Sequence, residues 1–201
     1  MRFDAVVFDL LTALTDSWTL WNDIAGSPDD GMKWRHRYLE ITYGCGAYRP
    51  YETLVCEAAR DVGLPERLGQ ELERRWDELM PWPEAPETLR GLDVPLAIAT
   101  NCSIRLGARA AMRVGVRFKL IETAESVGFY KPRPEVYRAV LRKLGTSPEH
   151  TLFVAGSASD VPGAKAVGMP VYWHNRVGLP PRDDARPDFL EKSLAPLSGL
   201  F

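Results

Sequence analysis

Asp9, the pair Thr100-Asn101, Lys131 before a proline, and Asp160 are the positions whose types and placement could do chemistry together. Asp9 closes the run Phe3-Asp4-Ala5-Val6-Val7-Phe8-Asp9-Leu10, dense enough in apolar residues to read as a fully buried strand. A carboxylate at such a place is costly unless it is used. In open α/β sheets ligands bind beyond the carboxyl ends of the strands, which is where Asp9 stands. Taken alone, Asp9 reads equally well as the cap of a strand-to-loop turn. Thr100-Asn101 and Asp160, each following a further strand, together with Lys131, turn that reading toward a nucleophile.

These positions need a sheet to hold them. Strands are predicted at Pro95–Thr100, Lys119–Thr123, Thr151–Ala155 and Pro170–His174. Helices alternate with them at Glu87–Leu92, Ile104–Gly115, Pro134–Leu144 and Val161–Val167. Such alternation implies a doubly wound parallel sheet, an α/β fold. Residues 16–85 carry no strand pattern. They read as a helix capped by Asp16 or Ser17, a loop over Gly26–Gly31, and helices over Met32–Tyr43, Tyr51–Val62 and Glu66–Leu79. The expected organisation is a core from residues 1–15 and 86–201 with an inserted helical cap, 16–85. Pro180–Pro187 reads as a polar loop.

Composition narrows the partners. The 201 residues are 45% hydrophobic and 26% charged, enough to bury a sizeable core under a solvated surface. A net charge of −2 argues against a nucleic-acid groove or an anionic membrane surface. No apolar stretch approaches the roughly 18 residues of a membrane span, and no signal-peptide pattern opens the chain. Cys45, Cys56 and Cys102 are odd in number and lack metal-ligand spacing, which fits a reducing cytoplasm. Three scattered histidines, His36, His150 and His174, do not make a metal site.

Asp9, Thr100-Asn101, Tyr130-Lys131-Pro132 and Ser157-Ala158-Ser159-Asp160 resemble, in order, the four motifs of the haloacid dehalogenase superfamily. The resemblance covers nearly the whole chain and implies a Rossmann-like core with a helical cap inserted after the first motif. Phosphatases of that superfamily carry Asp-x-Asp-Gly-Thr and bind magnesium. Here the second aspartate is Leu11, and the aspartate expected early in the fourth motif is Gly156. The 2-haloacid dehalogenases lack both features. Trp34-Arg35 followed by Leu39-Glu40 and Thr42, Lys131-Pro132 with Val136-Tyr137, and Trp173-His174-Asn175-Arg176 with Gly178 are similar to them.

That resemblance implies an aspartate that attacks C2 of a small carboxylate and an ester that water hydrolyses, with no metal and no cofactor. Lys131 would keep Asp9 ionised and stabilise charge on the ester carbonyl. Thr100 and Asn101 would donate to the carboxylate, and Asp160 would pair with Lys131 and position water; it also reads as the cap of the next helix, and the two roles are compatible. Arg35 would bind the substrate carboxylate or the departing anion. Leu11, Thr12, Trp18, Trp21, His36 and Ser157 complete the expected substrate site. A homodimer is a further expectation from the resemblance.

The chain departs from the dehalogenases at Asp9-Leu10-Leu11-Thr12-Ala13, where they resemble Asp-x-Tyr-Gly-Thr, and at Ala155, Ser157 and Ser159. The cap is also rich in aromatics: Trp18, Trp21, Trp34, Tyr38, Tyr43, Tyr48 and Tyr51. Rings facing the site would bind a cation. These features are similar to a relative that opens the ring of azetidine-2-carboxylate, the substrate the resemblance favours. The alternatives are a magnesium phosphatase and a catalytically silent ligand-binding relative.

Overall fold

A computed structural model describes residues 3–182 and 186–201. Six strands form one parallel sheet in the order β3-β2-β1-β4-β5-β6. They are β1 (Ala5–Phe8), β2 (Leu96–Thr100), β3 (Leu120–Thr123), β4 (Thr151–Ala155), β5 (Val171–His174) and β6 (Phe189–Glu191). Alternate residues of the central strands enter two different cores. Val6, Phe8, Ile98, Leu152 and Val154 face one side, while Ala5, Val7, Ala97, Ala99 and Phe153 face the other. A sheet apolar on both faces must be covered twice, which is why helices flank it. The order reverses between β1 and β4, so Asp9 and the segment after β4 meet at the switch point, where such folds bind ligands.

Between β1 and β2 a helical layer is built from α1 (Ser17–Ala25), α2 (Pro28–Gly44), α3 (Tyr51–Asp61) and α4 (Arg67–Arg74), ahead of the short helix α5 (Ala85–Arg90). Their core is a chain of rings: Trp21 against Trp34 at 4.5 Å, Tyr38 against Tyr51 at 5.3 Å, and Tyr51 against Trp76 at 5.8 Å. The Trp76 indole donates to the Leu106 carbonyl of α6 (Ile104–Arg113), tying this layer to the sheet side.

Local chemistry moves some predicted boundaries. The expected loop over Gly26–Gly31 is half helix, because α2 starts at Pro28. Ser27 caps it by accepting the Asp30 N–H at 3.1 Å, proline suits the first helical position, and Asp29 and Asp30 favour the positive helix end. Gly31 is required there, since a Cβ would fall 2.2 Å from the Asn22 side chain of α1. The predicted helix Glu66–Leu79 breaks after Arg74 and resumes as a 3₁₀ turn over Trp76–Glu78. Strand β6, α7 (Ala124–Val127) and the 3₁₀ segment Ala195–Leu200 carry no pattern that the sequence reading used. Helices α5 (Ala85–Arg90), α8 (Pro134–Leu144) and α9 (Asp160–Ala166) lie close to their predicted spans. Residues 1–2 of the expected core and 183–185 of the expected loop lie outside the described residues. No helix among the described residues is long and apolar enough to cross a membrane.

Candidate active site

Asp9 lies one residue beyond β1 and is almost fully buried. Its two oxygens are treated differently. Oδ2 accepts the Thr12 N–H at 2.9 Å, the Thr12 hydroxyl at 2.6 Å and the Ala13 N–H at 3.3 Å. Oδ1 accepts the Lys131 ammonium at 2.8 Å. Burial pushes the carboxyl up, but the charge and hydrogen bond of Lys131, with the Thr12 bonds, outweigh it and hold Asp9 below the usual carboxylate range. Asp9 is therefore an anion with one oxygen fixed by three donors and the other left with accepting capacity.

Lys131 bridges to Asp160, whose Oδ1 lies 3.1 Å from Nζ. Burial, together with the nearby Asp9 charge and against the pull of Lys131, raises the Asp160 carboxyl to about 6. Tyr137 on α8 donates to the same Asp160 Oδ1 at 3.3 Å. Asp160 is the first residue of α9, and Ser159 holds the cap position without a side-chain bond. The reading of Asp160 as a helix cap is thereby corrected: its carboxylate turns toward Lys131.

Thr100 ends β2 and Asn101 follows it; both line the same cavity, but neither donates to the Asp9 carboxylate. The Thr100 hydroxyl points at the Cys102 thiol, 3.5 Å away. The Asn101 amide clasps the Lys131 backbone, accepting its N–H at 2.7 Å and donating to its carbonyl at 3.1 Å. Burial raises the Cys102 thiol to about 12, so it stays protonated and is no nucleophile.

A small cavity of about 40 Å³ joins this cluster to the helices. Asp9, Leu11, Thr12, Thr100, Asn101, Lys131, Ser157 and Asp160 line it from the sheet side, and Trp18, Arg35, Tyr38, Leu39 and Tyr43 from α1 and α2. Arg35 is buried, its guanidinium 4.2 Å from the Trp18 ring centroid, and its Nη1 has no hydrogen-bond partner among the described residues. Burial lowers its affinity for a proton, while the Tyr51 and Asp9 groups oppose that.

Two expected substrate contacts fall elsewhere. Trp21 is packed into the ring chain of the helical layer and does not line the cavity. His36, one position along α2 from Arg35, faces an adjoining cavity of about 400 Å³ that shares Trp18, Leu39 and Ser157 with the inner one. Leu39 lines the inner cavity although it is absent from the expected substrate site; its spacing of four from Arg35 places it on the same helix face. Of the expected rings that line the inner cavity, Trp18 and Tyr43 already carry the protein's own arginines, Arg35 and Arg182.

The donor set does not fit a magnesium ion. The Leu11 side chain offers neither a proton nor a ligand, and at Gly156, where the ligating aspartate is expected, no side chain fits, since a Cβ would fall 2.1 Å from the Ala13 nitrogen. Among the described residues no three His, Cys, Asp or Glu side chains are grouped to hold a metal.

Comparison with known proteins agrees with this layout. Residues 3–168 match the family described as haloacid dehalogenase-like hydrolase. The chain is 30% identical to haloacetate dehalogenase H-2 of Moraxella sp. (strain B), over 89% of this chain and 88% of that one. It is 29% identical to (S)-2-haloacid dehalogenase 4A of Burkholderia cepacia, over 85% and 79%. Phosphatase MT3486 of Mycobacterium tuberculosis (strain CDC 1551 / Oshkosh) is 29% identical over 89% and 90%. A crystal structure of a dehalogenase with an intermediate complex superposes with a TM-score of 0.88 at 27% identity, covering 100% of this chain and 97% of that one. The match runs through both the helical layer and the sheet that carries Asp9 and Lys131, so the chain belongs to the haloacid dehalogenase-like hydrolases and is an enzyme of that class.

Proposed function

We propose that this enzyme hydrolyses small 2-substituted carboxylic acids without a metal, through an ester on Asp9. The observation that carries the reading is the packing at Gly156, which excludes the metal ligand that phosphoryl transfer needs while leaving the Asp9–Lys131 pair intact. Asp9 Oδ1 attacks C2, the C2–leaving-group bond breaks, and its electron pair departs with the leaving group. Arg35, with its free donor, holds the substrate carboxylate. Water then adds to the ester carbonyl carbon and passes a proton to Asp160, and the charge that develops on Oδ2 meets the three donors already there. Collapse breaks the Cγ–Oδ1 bond, and the departing alkoxide takes the proton back from Asp160. A 2-hydroxy acid leaves, and Asp9 re-ionises by releasing the second proton.

The two dehalogenases named above favour a halide as leaving group. The number of cations available to meet an anion favours the ring amine of azetidine-2-carboxylate. Among the described residues lining the inner cavity the cations are Arg35 and Lys131, and Lys131 already serves two carboxylates. A halo acid presents two anions, its carboxylate and the departing halide. A protonated azetidine presents one, and its amine leaves neutral.

Turnover in heavy-oxygen water across 2-haloacids, azetidine-2-carboxylate and a phosphate ester, with and without chelator, tests both levels. Chelator-resistant product and heavy oxygen in the Asp9 peptide are expected under single-turnover conditions. Phosphate release abolished by chelator would overturn the reading, and binding without any turnover would leave a silent relative.

A further inference from the structure

The peptide groups that hold Asp9 are themselves held from behind. The Leu11–Thr12 peptide points its N–H at Asp9 Oδ2, while its carbonyl accepts the Ser17 hydroxyl. The Thr12–Ala13 peptide points its N–H at the same oxygen, and its carbonyl accepts the Trp82 indole N–H at 3.0 Å. The next carbonyl, that of Ala13, lies 2.9 Å from His174 Nδ1. A carbonyl can only accept, so Nδ1 carries the proton. Burial holds His174 below the ordinary imidazole range, consistent with that neutral tautomer. Ser17 and His174 are fully buried, Trp82 is nearly so, and the Trp82 and His174 rings meet edge-on at 6.0 Å. Three consecutive carbonyls are thus each bonded by a side chain from a different part of the chain.

Resting on the ester reading above, we propose that Ser17, Trp82 and His174 are positioning residues for the hydrolysis half of the reaction. Oδ2 shares a negative charge in the carboxylate, loses it in the ester, and regains a full charge when water adds. Donors aimed at Oδ2 therefore hold back the attack on C2 and accelerate the attack of water. A hydrogen bond to the carbonyl of a peptide polarises its N–H, and it fixes where that N–H points. Ser17 and Trp82 do this for the two peptides that face Oδ2. His174 anchors the turn one residue further on. Removing these bonds slows the water step while sparing the attack on C2.

The test is rapid-quench mass spectrometry of the intact protein with 2-bromopropionate and with azetidine-2-carboxylate as probes, beside steady-state kinetics. Trp82→Phe is expected to raise the fraction of enzyme carrying the ester. Its kcat and KM should fall together, by about tenfold, leaving kcat/KM within about twofold of the parent. Ser17→Ala should act in the same direction and guards against a misfolded Trp82 variant. His174→Gln, which keeps a donor, should accumulate less ester than His174→Leu. An ester in the parent whose fraction does not rise in any folded variant overturns the positioning roles alone. A fall in kcat/KM equal to that in kcat does the same. Product formation with no adduct in parent or variants overturns the ester reading, and the positioning roles with it.

Discussion

On the sheet side of the cavity Lys131 is bonded to both Asp9 and Asp160, and Oδ2 of Asp9 is filled by three donors. On the helical side Arg35 is equally buried, yet one guanidinium nitrogen has no partner among the described residues, and aromatic rings surround its plane. The first wall is complete before a substrate arrives. The second is completed by the anion it binds. A buried charge with unmet donors costs stability, and an arriving carboxylate recovers that cost as binding energy. Rigid charge on one side and unmet charge on the other let one cavity hold a nucleophile ready and still select an acid.

The largest effect should come from removing the nucleophile. Asp9→Asn is expected to lower turnover by about 10⁴-fold or more with the fold retained, checked by product assay beside circular dichroism. Near-parental activity would remove the sheet wall from the chemistry altogether.

Lys131→Met should cost about 10³-fold in turnover and, by leaving two buried carboxylates without their cation, about 3–5 kcal/mol of stability in urea unfolding. Arg35→Met separates the walls more sharply. It should lower kcat/KM by about 10²-fold, while thermal unfolding without substrate stays level or shifts upward. A large loss of stability there would show that Arg35 is as fully paired as Lys131, and the contrast would fail.

The smallest effect is a pH limb. Asp160 must be ionised to take the proton from water, and its carboxyl is raised to about 6 by burial and the Asp9 charge. Protonation removes the base, so the hydrolysis rate should fall about tenfold per pH unit below about pH 6 and stay level above it. Asp160→Asn should lower the plateau and abolish the limb. A limb that persists in that variant belongs to another group.

Much of the sheet wall was legible in the residues. Apolar runs ending in Asp9 and in Thr100 mark strands whose ends converge, Asp160 follows from its place after such a strand, and Lys131 stands out as the lysine before a proline. The helical wall was less so. Helical spacing groups Arg35, Leu39 and Thr42 on one face and Trp34 and Tyr38 beside it, but it does not say which face meets the sheet. Hence Trp21 was expected in the site and lies in the helical core, while His36 faces the outer cavity. The start of α2 was misplaced because proline and glycine read as loop signals, although Ser27-Pro28-Asp29-Asp30 is also a helix start.

By itself, the sequence determined the strand–helix alternation and the parallel sheet, because periodicity acts locally, while its family resemblance marked the carboxylate–lysine–carboxylate cluster, the missing proton donor at Leu11 and the missing magnesium ligand at Gly156. Tertiary structure alone decided that Asn101 clasps the Lys131 backbone, that Arg35 keeps an unmet donor, and that Ser17, Trp82 and His174 converge behind one turn. The Asn101, Trp82 and His174 contacts join segments far apart in the chain, and a hydrogen bond to a backbone carbonyl leaves no mark on the residue that accepts it.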